Sequence, residues 1–261
     1  MKIVLIGTGN VAAVLSKKLQ AAGHTIAGVF GRNHIAAAVL ADASGAPACP
    51  DLKRITQEAD LYIIAVADQA LTGHEIHLQL TSQLVVHTAG AVSMEVLKNM
   101  SSAYGVLYPF QTIRKEVEPL PDIPLLIDAN TVAAKDQLAA LAGTISKKVI
   151  EANDSQRMQY HLCAVATNNF SNYLYVLAEA YCHKHGLDFS LLLPLIDETA
   201  HRLHRFSPRL VQTGPASRKD MATIQHHLIM LNKDPEFKSL YQLFSDEILR
   251  YPWDQELGIG N

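Results

Sequence analysis

Three sets of residues in this chain have the types and spacing to do chemistry. The first is Gly7-Thr8-Gly9-Asn10-Val11-Ala12, directly after the apolar run Lys2 to Ile6 and before a helical pattern that reaches about Ala22 and closes at Gly23. Gly-x-Gly-x-x-Ala between a strand and a helix is a dinucleotide-binding fingerprint. The first glycine allows the tight turn, the second lets a pyrophosphate approach the backbone, and the small third residue lets helix and strand pack closely. The helix N-terminus then faces the phosphates. The second set is Gly31-Arg32-Asn33, at the end of the next predicted strand. An NAD-binding domain places an acid there, about 20 residues past the glycines, to hold the ribose hydroxyls. Here a guanidinium is available for a 2′-phosphate, so NADP is expected over NAD; the alternative for Arg32 is a solvated loop arginine. The third set is histidine, 12 residues beside 3 cysteines. That surplus means metal binding, proton transfer or neither.

These residues need elements to position them. Short β-rich runs alternate with helical patterns as far as about residue 150: Lys2 to Ile6, Thr25 to Phe30, Leu61 to Val66, Leu84 to Thr88, Gly105 to Tyr108, Leu125 to Ile127 and Lys148 to Ile150. Several are apolar on both faces, as in a mainly parallel sheet covered by helices on both sides. After Ala152 the pattern is helical: Asp154 or Ser155 can cap a long run to His185 stopped by Gly186, Ser190 caps the next helix, Asp220 a third, and Asp234 with Pro235 opens a fourth. The expected architecture is an α/β doubly wound Rossmann domain over residues 1–151 followed by an all-helical domain over 152–261. The length of the first helix predicts packing against a second layer or a second subunit, and so a homodimer.

Composition limits the partners. With 261 residues, 49% of them apolar and a net charge of −3, the chain can bury a core and has no basic excess for nucleic acid or an anionic membrane. Cys49, Cys163 and Cys182 are odd in number and widely spaced, which fits a reducing cytoplasm. The run at Ile3 to Ile6 reads as a strand and not as a signal peptide.

Ligands in open α/β sheets bind at the carboxyl ends of strands, which puts Val66-Ala67-Asp68 and His87-Thr88-Ala89-Gly90 beside the nicotinamide half of such a cofactor. Asp68 reads as a helix N-cap. His87 could donate a proton near the reacting carbon, or bond a backbone carbonyl as a structural histidine. Metal is not favoured. His183, His185, His201, His204, His226 and His227 fall close together, and Glu198-x-x-His201 has the spacing of a di-iron bundle, but the second such motif and the further inward acids are missing. Capping or solvated roles suit these histidines better.

With Tyr108-Pro109-Phe110-Gln111-Thr112 added to these motifs, the chain resembles the pyrroline-5-carboxylate reductase and 6-phosphogluconate dehydrogenase superfamily. Tyr160-His161-Leu162-Cys163-Ala164 with Asn169-Phe170, Thr213 to Asp220, and His227-Leu228 narrow the resemblance to a group of Rossmann-like NADP oxidoreductases whose helical domain has no defined role. The resemblance covers nearly the whole chain and implies hydride transfer to or from a carbonyl or imine carbon of a small metabolite. Two departures stand out. Superfamily members acting on hydroxyacids carry a lysine one helical turn before an asparagine; here Asn168 and Asn169 are preceded by Ala164 and Val165, which cannot protonate an alkoxide. Tyr108 stands where relatives often carry histidine. His161, two turns before Asn168 and so on the same helical face, is the expected replacement acid, with His87 as the other candidate and Asn169 and Arg218 orienting substrate. Arg218 could instead only tie helices together. The rival readings are a non-catalytic NADP-binding sensor or assembly protein and a deazaflavin-linked NADP reductase.

Overall fold

The protein is described from a computed structural model covering residues 1–73 and 76–253. It divides into two compact units, Met1–Val165 and Ala166–Asn261. In the first, β1 (Lys2–Ile6), α1 (Asn10–Ala21), β2 (Thr25–Phe30), α2 (His34–Ala43), β3 (Ala48–Cys49), β4 (Leu61–Ile64), α3 (Asp68–Thr72), β5 (Leu84–His87), β6 (Tyr104–Pro109), β7 (Leu125–Ala129), α4 (Val132–Ile145) and β8 (Val149–Glu151) precede α5 (Asp154–Ala164). The sheet order is β3-β2-β1-β4-β5-β6-β7-β8. Every pair is parallel except β6 with β7. The chain leaves β1 toward one side and later returns to the other, so the β1/β4 boundary is a topological switch point with a crevice at its carboxyl end.

Both faces of the sheet are dry, which explains the runs of apolar residues without alternation. Ile3, Leu5, Leu61 and Ile63 point into one core, shared with Leu15 and Leu19 of α1 and Leu138 of α4. Val4, Ile6, Tyr62 and Ile64 point into the other, with Leu71 and Leu97. Ala12 is fully buried where α1 crosses the sheet, which is why a small residue follows the two glycines.

Helix α5 belongs with the sheet unit, so the compact units part after Val165 and not at the end of β8. Its N-cap is Asn153, not Asp154 or Ser155: Asn153 and Gln156 form a reciprocal capping box. Asp154 is thereby left to bond Arg157, whose Nη2 donates to it at 2.8 Å and to the Val92 carbonyl at 2.5 Å. The helical run continues as a π-turn, Val165–Phe170.

In the second unit, α6 (Ser171–Lys184) ends as expected before Gly186, which has φ 68°. Asp188, and not Ser190, caps the next turn, accepting from the Ser190 amide before α7 (Leu193–Arg202) begins. Asp220 caps α8 (Met221–Met230) through the Thr223 amide and hydroxyl. Pro235 starts α9 (Pro235–Arg250), while Asp234 spends a carboxylate oxygen on Lys184 at 2.6 Å. Ala216, Ile224 and Leu228 form a small core with Tyr241, Ile248 and Leu249. Among the described residues no helix is long and apolar enough to cross a membrane.

Candidate active site

The turn after β1 sets one end of the site. Gly7 has φ 125°, and a Cβ there would lie 2.0 Å from the Ala65 carbonyl oxygen, so only glycine lets β1 turn this close to β4. Gly9 differs: a Cβ there would meet nothing within 4 Å, because its open side faces the cavity. It is the N-cap of α1, whose first turn carries no acid. Backbone amides, a positive helix end and open space above a glycine suit a pyrophosphate. Gly31 packs on Thr8, and Arg32 beyond it is exposed. Asn33 caps α2, its side-chain oxygen accepting from the Ala36 amide at 3.0 Å.

A cavity of about 720 Å³ runs along the carboxyl end of the sheet. Gly7, Thr8, Gly9, Asn10, Val11, Arg32 and Asn33 line one end; Val66, Ala67, Asp68, Thr88, Ala89 and Gly90 continue it; Tyr108, Gln111, Ile113 and His161 close it. The volume is that of a small-molecule site. Asp68 is not the N-cap of α3: Ala67 holds that position without a side-chain bond, and Asp68 is the first helical residue, its carboxylate exposed.

The far end holds a pair that the sequence reading only half anticipated. Tyr108 Oη and His161 Nδ1 share a hydrogen bond of 3.2 Å. Their rings approach over Gly90, where a Cβ would sit 2.6 Å from the Tyr108 ring and 2.9 Å from His161 Nδ1. Phe110 packs edge-on against both Tyr108 and Tyr160, fixing the end of β6 on α5. Burial raises the Tyr108 phenol above its ordinary range and the Asp68 carboxylate adds to this, against a smaller opposing effect of Arg157. The phenol therefore keeps its proton in neutral solution.

His87 is placed differently. It is 0% exposed and outside the cavity wall. Its Nδ1 accepts from the Ala89 amide at 3.1 Å, which fixes the ring as the Nε2–H tautomer when neutral. Burial, reinforced by the Arg157 guanidinium, lowers its pKa to about 4. Through its bond to the Ala89 amide, His87 braces the turn that carries Ala89 and Gly90.

Asn169 and Arg218 both belong to the second unit and are exposed there. Asn169 lies in the π-turn, so the α-helical count that put Asn168 on the face of His161 does not carry across Val165. Arg218 lies in the turn before α8 and helps hold the Asp220 carboxyl below its usual range, behind the hydrogen bonds from Thr223. Among the clustered histidines, His201 bonds the Asp197 carbonyl and His227 the Tyr241 hydroxyl. Among the described residues no three His, Cys, Asp or Glu side chains are grouped to hold a metal ion.

A dinucleotide fingerprint at a switch-point crevice, followed by a proton-bearing pair, defines a Rossmann-type oxidoreductase. The comparisons give the family. Residues 2–89 match the family described as NADP oxidoreductase, coenzyme F420-dependent, and residues 123–248 match a domain of unknown function, DUF2520. A solved structure titled "putative NADP oxidoreductase", from Bacteroides fragilis, is 39% identical over 96% of this chain and 98% of its own, with a TM-score of 0.86. The chain belongs to this family of NADP oxidoreductases, which join a dinucleotide-binding domain to a DUF2520 domain. A Thermotoga maritima protein is 21% identical over 94% of this chain and 96% of its own, with a TM-score of 0.72. The 1-pyrroline-5-carboxylate reductase of Streptococcus pyogenes shares the fold at 16% identity, covering 96% and 99% of the two chains, with a TM-score of 0.64. No curated protein matches the sequence.

Proposed function

We propose that this NADP oxidoreductase reduces a carbonyl or imine carbon of a small metabolite, or runs the reverse oxidation, with Tyr108 and His161 as the proton-transfer pair. The observation that carries the reading is the 3.2 Å Tyr108–His161 bond in the wall of the cavity that begins at Gly7 and Gly9. When bound, NADPH supplies the hydride. The residues expected to hold it are the Gly7–Val11 turn at the pyrophosphate, Arg32 with Asn33 at the 2′-phosphate, and Val66, Ala67 and Asp68 further along. Tyr108 gives its phenolic proton to the oxygen or nitrogen that gains negative charge as hydride reaches the neighbouring carbon, and His161 restores that proton through its Nδ1 contact. Each turnover then consumes one hydride and one proton: His161 takes a proton from water at Nε2 as it releases the one at Nδ1, so neither residue is left charged.

This assignment sets His87 aside as a donor, because a neutral imidazole sealed behind the turn cannot reach substrate. Asn169 and Arg218 remain proposed substrate contacts on the chemistry of an amide and a guanidinium that are exposed on the second unit. A reducing cytoplasmic location is supported by the odd number and wide spacing of Cys49, Cys163 and Cys182. A homodimer through the helical unit is supported by α7, which buries no residue and exposes Leu193 and Leu195. Light scattering giving a monomer at micromolar concentration would remove the dimer.

The test of function is NADPH fluorescence on mixing with the full chain, followed by a panel of cyclic imines, oxo acids and a deazaflavin. Binding followed by oxidation of NADPH with an imine or oxo acid is expected, and raised KM values are expected for Arg218→Ala and Asn169→Ala. Tight binding with no turnover would favour the sensor reading, and turnover only with the deazaflavin would replace the substrate class.

A further inference from the structure

Arg157 is among the most deeply buried side chains of the chain, 1% exposed, and its charge is expensive there. Among the described residues its one ion-pair partner is Asp154, itself partly exposed. Nη2 makes both of its bonds, to the Val92 carbonyl and to Asp154, while Nε and Nη1 are buried without a hydrogen-bond partner among the described residues. A helix that needed only to be glued to the sheet would do so more cheaply with an apolar residue, since replacing a buried ion pair by packed hydrophobics is often neutral or stabilising. The position of Arg157 gives the charge a use. It lies one α-helical turn before His161, so the two share a face of α5, and the Val92 carbonyl it grips follows the turn made by Ala89 and Gly90, on which the Tyr108–His161 pair rests.

We propose that Arg157 is a positioning residue for the proton-transfer pair: its bond to the Val92 carbonyl, made beside Asp154 of the same helix, which in turn accepts from the Met94 amide, clamps α5 to the segment after β5 and so holds His161 Nδ1 within hydrogen-bond reach of Tyr108. The inference rests on the pair described above. A second effect of the same charge is electrostatic. His87 is faced by Arg157 and Asp154 from α5 and by the Ser93 carbonyl from the segment after β5; Arg157 helps keep it uncharged, against the pull of the other two. Tyr108 is faced by Asp68 from α3 and by Arg157 and His161 from α5; Arg157 offsets part of the upward push of burial and of Asp68. One guanidinium thus adds to the effect of burial in keeping His87 neutral and holds His161 in place.

The test is ring-nitrogen NMR of the full chain labelled at histidine, with His161 assigned by its loss in His161→Gln and its contact to Tyr108 defined by the shift seen in Tyr108→Phe. In Arg157→Met the His161 resonances are expected to move to their Tyr108→Phe positions, and His87 to titrate about one pH unit higher than in the parent chain. Arg157→Lys separates the two effects: it keeps the charge, so His87 stays near its parent value of about 4, but its nitrogen sits one bond nearer the backbone than Nη2 and falls short of the Val92 carbonyl, so His161 is displaced all the same. His161 at its parent position in either variant, while Tyr108→Phe displaces it, overturns the role of Arg157 alone. If Arg157→Met does not fold, Arg157→Lys decides by the same criterion. If Tyr108→Phe itself leaves His161 unmoved, the pair and the positioning role fall together.

Discussion

The two ends of the cavity are made of different materials. At the nucleotide end the working groups are backbone: the Gly7 turn, the open face of Gly9 and the start of α1, all from one stretch of chain. At the other end they are the side chains of Tyr108 at the end of β6 and His161 on α5, meeting over Gly90 after β5, so that three distant stretches contribute. A backbone site is rigid as soon as its turn forms. A side-chain site exists only when the tertiary packing that supports it is right, so in the proposed site Phe110, Tyr160 and Arg157 matter as much as Tyr108 and His161 do. The two ends should therefore fail in different ways when perturbed.

The largest separation is expected from Gly90→Ala. The new methyl occupies space now held by the Tyr108 ring and His161 Nδ1, and misplacing a reacting group by about 1 Å can cost about 100-fold in turnover. NADPH affinity should change far less, since the phosphate end is untouched; steady-state kinetics beside a fluorescence titration would show both, and an equal loss in each would erase the distinction. The mirror experiment is Arg32→Glu. Loss of charge-assisted bonds to a 2′-phosphate should weaken NADPH binding by about 10- to 100-fold, with little change for NADH or for the turnover of bound NADPH. Equal weakening of both cofactors would put Arg32 outside the phosphate site.

The smallest effect concerns stability and separates the two histidines. His87 has a folded pKa of about 4, below the roughly 6.5 of an unfolded chain. Between those values the unfolded state binds the extra proton, so stability is full above about pH 6.5 and falls as pH drops. From pH 6.5 to 5 the loss is roughly 2 kcal/mol, and it continues toward pH 4. Urea midpoints across that range should show less acid sensitivity in His87→Gln than in the parent chain; identical slopes would mean that His87 is not held neutral by the fold.

How legible each part was in the sequence follows from the same contrast. The β1 turn announced itself because its residues are contiguous, and β1 and β2 were bounded correctly because their ends are marked by Gly7 and Gly31. Helix caps were off by a residue or two where several capping types stand together: Asn153 outcompeted Asp154, and Asp188 outcompeted Ser190. His161 was visible as a polar residue on the face of a helix. Tyr108 was seen only as a departure from relatives, since nothing local shows that the end of β6 meets α5 over Gly90. The same lack of tertiary information left His87 open between catalyst and support, since nothing local shows that it is fully buried. The π-turn at Val165–Phe170 had no sequence signal of its own, so counting at 3.6 residues per turn placed Asn168 and Asn169 too simply.

The central claim is that Tyr108 and His161 act as one unit. Once a substrate is found among the imines and oxo acids, a double-mutant cycle of kcat for Tyr108→Phe, His161→Ala and the combined variant tests it most directly. Each single change should cost about 10²- to 10⁴-fold, with NADPH affinity within a few-fold of the parent, and the combined variant should be no slower than the worse single one, as for residues that work as a unit. Turnover by Tyr108→Phe at the parent rate, or losses that multiply fully in the combined variant, would contradict it.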